Sequence, residues 1–180
     1  MKSFILISLF LIGIITTYYG QDTTQMDVSQ IPNEVGVLYE KAFIKIGDIA
    51  RNSKIEIIEV KDLINDKVYK FIRVEFKTYQ STYSKLKTFS AALNKDETES
   101  LISAMDKIVT IVNNEKKYTY TEITFTTYEG LIVGAYYKKE EDKWYFYLEK
   151  NKTAYYSLFP LKIEQFTRMI ILLRDALKHV

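Results

Sequence analysis

The stretch that decides the fold class is residues 68–77, VYKFIRVEFK. Ile72, Val74 and Phe76 alternate with Arg73, Glu75 and Lys77, and a period of two places the first set on one face of a β-strand and the second on the other. One face is greasy and one is charged, the pattern of an antiparallel sheet covered on a single side. Upstream, Lys54 to Leu63 carries Ile55, Ile57, Ile58 and Val60 as a second strand, and Asn65-Asp66 between the two suits a hairpin turn. Further upstream, Val35, Leu38, Ala42, Ile46 and Ile49 recur at three and four residues behind Pro32, which predicts a helix from about Asn33 to Arg51.

Downstream, a third strand is expected around Tyr83 to Leu93. Asn94 followed by Glu97 reads as an N-cap and capping box, and Leu101, Ile102, Met105, Ile108, Val109 and Val112 form the stripe of a helix ending near Asn113-Asn114. Tyr118 to Tyr128, Leu131 to Lys138 and Lys143 to Lys150 follow as strands, the last two joined by a tip at Lys139 to Asp142. A short strand at Thr153 to Phe159 leads through Pro160 into a final helix carrying Phe166, Met169, Ile170, Leu173 and Leu177.

The expected fold is therefore α+β: an N-terminal helix, then two meander-plus-helix units forming an antiparallel sheet with helices packed on one face. Segments 54–112 and 117–178 read as one unit written twice. A shift of 68 residues superposes Leu101, Ile102 and Met105 on Met169, Ile170 and Leu173, through either internal duplication or convergence. In element order alone, such a doubled unit resembles single-stranded nucleic-acid binders such as the Whirly proteins. The N-terminal leader and the charge balance point away from that role.

The leader is Met1-Lys2-Ser3 followed by the apolar run Phe4 to Ile15 and a small residue, Gly20, at its exit. A positive start and an apolar run too short to span a bilayer fit a secretory signal peptide over 1–20, cleaved after Gly20. Residues 21–31 are polar and aperiodic and read as a flexible N-terminal tether, leaving 32–180 as a single α+β domain. The expected localisation is secreted or periplasmic, with membrane contact only through the signal segment before cleavage. Asn151-Lys152-Thr153 matches a glycosylation acceptor.

Composition removes much chemistry. Of 180 residues none is cysteine, and the single histidine, His179, lies one position from the C-terminus. Thiol nucleophiles, disulfides, cysteine-based zinc sites and a well-anchored histidine triad are excluded. Lys and Arg number 25 against 23 Asp and Glu, so no general field draws phosphate backbones or anionic lipid. Glu56 with Glu59, Asp96 with Glu97 and Glu99, and Glu140-Glu141-Asp142 are the acidic groups a carboxylate-dependent hydrolase would use. Strand parity separates the first pair, a helix N-terminus explains the second group and an exposed turn the third. No catalytic residue, metal ligand or cofactor is assigned.

Tyrosine is the unusual feature, at fifteen residues. If Ile123 and Phe125 face the core, Tyr118, Tyr120 and Tyr128 fall on the opposite parity, as do Tyr145 and Tyr147 relative to Trp144 and Phe146. These five are the candidate ligand-binding residues, with half-exposed strand packing as the plainer explanation. The expected function is a non-enzymatic binding or interaction module for a protein or glycan through a Tyr-rich sheet face. The alternatives are a carboxylate-dependent hydrolase and a structural envelope component; nucleic acid is not an expected partner.

Overall fold

The computed structural model describes residues 36–80, 85–150 and 157–180. The signal segment 1–20, the tether 21–31, the Asn151 acceptor and most of the expected strand at Thr153 to Phe159 lie outside the described residues. Four strands, β1 (Tyr39–Ala50), β2 (Ser53–Asp62), β3 (Val68–Gln80) and β4 (Lys85–Leu93), form one antiparallel sheet in chain order and lead into α1 (Lys95–Asn114). A second antiparallel sheet, β5 (Thr121–Thr126), β6 (Leu131–Lys138), β7 (Lys143–Lys150) and β8 (Phe159–Leu161), leads into α2 (Ile163–Ala176).

Two expectations are corrected. The segment read as an N-terminal helix is β1, paired with β2 from Tyr39 opposite Asp62 to Ala50 opposite Ser53. Register shifts between Lys45 and Gly47 and between Asp48 and Ala50 mark bulges. Each bulge breaks the period of two, so Ile46 and Ile49 recur at a helix-like spacing although the backbone is extended. Sheet pairing and the β-branched Ile44, Ile46 and Ile49 override the apparent helix. Gly47 also has a packing reason to be glycine, because a Cβ there would stand 2.6 Å from Leu172 of α2. The second correction concerns layers: there are two four-stranded sheets, not one sheet with helices on a single face.

Each helix packs chiefly against the sheet of the other unit. α2 lies on β1 and β2, whereas α1 lies on β5 and β6 and touches α2. The inner faces of both sheets and both helices share one apolar core. Phe76 stacks with Phe89 at 5.6 Å and meets Phe159 at 5.7 Å, joining the first sheet to β8, while Phe146 packs on Phe166 at 4.8 Å. The helices start 68 positions apart, and Arg174 reaches Asp106 at 2.6 Å across the same offset. Corresponding faces of α1 and α2 therefore meet, and the trios Leu101, Ile102, Met105 and Met169, Ile170, Leu173 are all buried.

Local signals explain the helix starts. The Asn94 side chain accepts the Glu97 N–H at 2.8 Å, and the Glu97 carboxylate accepts the backbone N–H of Tyr128. At α2, the Lys162 N–H donates to Gln165 Oε1 at 2.8 Å. Pro160 lies within β8, an edge strand, where its missing N–H costs no interior ladder bond. The Asn65-Asp66 turn is present, with Asp66 at φ 53° and the Asp62 carboxylate accepting the Ile64 and Asn65 amides.

The outer face of the first sheet carries a charged ladder. Glu56, with its side chain 7% exposed, accepts hydrogen bonds from Lys54 and from Arg73, the Arg73 Nε contact at 3.0 Å. Burial pushes the Glu56 carboxyl up, but the bonds from Lys54 and Arg73 outweigh it and hold the group below the ordinary glutamate value. A depressed carboxylate contributes stability above its unfolded pKa, and that contribution is lost as pH falls through the folded value. Glu56→Gln is expected to cost about 1–3 kcal/mol at neutral pH, with the gap to wild type closing below about pH 4. Thermal unfolding followed by circular dichroism at pH 7 and pH 3 checks this, and an equal gap at both values contradicts it.

Candidate functional site

β5, β6 and β7 build the site because each alternates between the core and the outer face. Register places Glu122, Tyr136 and Tyr145 side by side on the outer face, and Thr124, Gly134 and Tyr147 in the next row. Ile123, Ala135 and Phe146 hold the same strands to the core. Tyr120 precedes β5 and leans on this face. Its ring lies 6.3 Å from Tyr136 with planes 29° apart, and Tyr136 lies 5.3 Å from Tyr145 with planes 17° apart.

Tyr147 backs the row at 6.0 Å from Tyr136 and is only 2% exposed. Its burial follows from Gly134, the cross-strand neighbour. A Cβ on Gly134 would stand 3.0 Å from the Tyr147 ring and hydroxyl, so the ring occupies the space a side chain would take. The Tyr147 hydroxyl donates to Glu122. Burial first, and then that bond, push the phenol far above its ordinary value.

Charges frame the row. Tyr145 donates to Glu141, which raises the phenol, and Lys138 donates to the same carboxylate at 2.8 Å. The bonds from Lys138 and Tyr145 hold Glu141 below the usual carboxylate range. Lys138 and Lys143 each stand over the Tyr145 ring at 5.4 Å from its centroid. Tyr120 is raised by partial burial of its hydroxyl and by the Glu122 and Tyr136 neighbours.

Of the five sequence candidates, the structure brings Tyr120, Tyr145 and Tyr147 together. Tyr118 is 77% exposed in the segment before β5, with no ring partner among the described residues. Tyr128 is 88% exposed at the β5–β6 turn, the far end of β5 from Tyr120. By strand rise, the two stand on the order of 20 Å apart. Tyr128 borders a separate open cavity of about 380 Å³ beside the start of α1, lined also by Asp96, Glu97 and Phe125. Sequence reasoning missed Tyr136, the centre of the row. The signal was its adjacency to Tyr137 on one strand, which requires one of the two to face outward. Tyr137 faces inward, packs on Trp144 at 5.6 Å and donates to Asp142.

The acidic groups occupy structural positions. Glu56 lies on the outer face of β2, and Glu59 lies on the opposite parity near Lys70. Asp96 and Glu97 sit in the first turn of α1. Glu141 and Asp142 take hydrogen bonds from Tyr145 and Tyr137. Among the described residues, no three His, Asp or Glu side chains gather as a metal site requires. Among the same residues, no helix is long and apolar enough to cross a membrane.

No family model matches the sequence, and no solved structure matches it. The chain is similar to Reticulocyte-binding protein homolog 1 of Plasmodium falciparum (isolate 3D7), being 34% identical to it over 122 residues. The matched stretch is 67% of this chain and 4% of that protein, so this chain corresponds to a small part of its relative.

Proposed function

We propose that this chain is an exported, non-enzymatic recognition module that contacts a partner on a cell surface through the Tyr120–Tyr136–Tyr145 row. The observation that carries the reading is the row itself: three near-parallel rings, gathered from one connecting segment and two strands, on the sheet face turned away from the core. Tyrosine supplies large contact area with little side-chain entropy to lose and a hydroxyl for orientation, which is why it concentrates at interfaces. Similarity to a protein named for binding reticulocytes supports a recognition role and suggests the cell to try. Export rests on the leader, with cleavage after Gly20 releasing the domain from the membrane.

The test is saturable binding of fluorescently labelled chain to reticulocytes, comparing wild type with Tyr136→Ser and Tyr120→Ser. Each substitution is expected to weaken binding by about tenfold, the loss of one interface anchor. Tyr120 lies outside the strands and is 63% exposed, so its replacement leaves the fold intact. Absence of saturable binding by wild type, or binding by both variants as tight as that of wild type, contradicts the reading.

A further inference from the structure

Resting on that reading, we infer that the tyrosine row recognises a polypeptide and not a glycan. Sugars and bases engage aromatic side chains through the flat face of the ring. In this row the faces are already used. Near-parallel rings at 5.3 and 6.3 Å are offset-stacked, so Tyr136 has Tyr145 on one side and Tyr120 on the other. The Lys138 and Lys143 ammonium groups also stand over the Tyr145 ring, each 5.4 Å from its centroid. Tyr120, at the end of the row, is 63% exposed, whereas Tyr136 and Tyr145 are half-buried.

The row therefore presents a ridge of ring edges and phenol groups. Its hydrogen-bonding capacity is defined. The Tyr145 proton is committed to Glu141, while the Tyr120 and Tyr136 hydroxyls have no hydrogen-bond partner among the described residues. Charge beside the ridge is balanced, with Glu122 and Glu141 against Lys138 and Lys143, so neither a strongly basic nor a strongly acidic ligand is selected. A neutral apolar ridge with a few unsatisfied hydroxyls complements a protein surface, which offers apolar side chains to the ring edges and amide groups to the oxygens. A glycan platform needs at least one broad open ring face at its centre, and the centre of this ridge is Tyr136.

The experiment uses the full chain on reticulocytes treated in three ways: untreated, periodate-oxidised to destroy surface glycans, and shaved with a broad protease. Wild type and Tyr120→Ser are compared on each. Periodate is expected to leave the tyrosine-dependent part of binding within about twofold of the untreated value, and protease to reduce it by about tenfold or more. Loss of that part on periodate-treated cells, or its survival on shaved cells, overturns the polypeptide assignment while the recognition module stands. Equal binding of wild type and Tyr120→Ser on untreated cells overturns the module and the assignment together.

Discussion

Phe166→Ala is expected to destabilise the whole chain by about 3–5 kcal/mol, the cost of removing a fully buried aromatic ring and leaving a cavity. Phe166 has no solvent exposure and lies on α2, against Phe146 of the second sheet. The same helix packs on β1 and β2 of the first sheet. Because one continuous core spans both sheets and both helices, the loss cannot stay within one half. A single cooperative transition is expected to move down by on the order of 10 °C. Calorimetry checks it, and two separate transitions, with only one displaced, would show that the halves fold independently.

Gly134→Val is expected to cost about 3 kcal/mol and to dismantle the tyrosine row. A Cβ at Gly134 would stand 2.8 Å from the Ile123 carbonyl oxygen and 3.0 Å from the Tyr147 ring. The Ile123 carbonyl belongs to the β5–β6 ladder, so that ladder must shift locally to relieve the 2.8 Å contact, and the Tyr147 ring must give as well. Displaced, it loses its bond to Glu122 and no longer backs Tyr136. The readout is alkaline tyrosinate titration. In wild type the raised Tyr147 phenol stays neutral and stabilises the fold below the ordinary tyrosine pKa, a contribution lost as pH rises above about 10. In the variant one further tyrosine should ionise in the ordinary range before unfolding. A titration curve unchanged from wild type would show that Tyr147 does not depend on Gly134.

Features set by neighbours in sequence were readable; features set by distant neighbours were not. The alternation of Ile72, Val74 and Phe76 and the Asn94 cap each depend on a few adjacent residues, and both are in the structure. β1 was misread because its two bulges create a helical spacing that only pairing with β2 resolves. Strand parity alone placed Tyr145 and Tyr147 on the outer face. It could not show that Tyr147 is buried there, because that follows from a glycine on the neighbouring strand. Tyr136 was hidden for a related reason. Leu131 to Lys138 is almost continuously apolar and lacks alternation, so its facing is set by register with β5 and β7.

In the free chain Tyr120 is exposed and Tyr136 and Tyr145 are half-buried, and a partner seated on the row would cover all three. Hydroxyl-radical footprinting of the full chain, alone and bound to reticulocytes, tests this directly. Tyr120, Tyr136 and Tyr145 are expected to be oxidised in the free chain and protected on binding, while Tyr147, 2% exposed, is expected to be protected in both states. Protection of the row in the free chain, or its continued oxidation in the bound one, would contradict this.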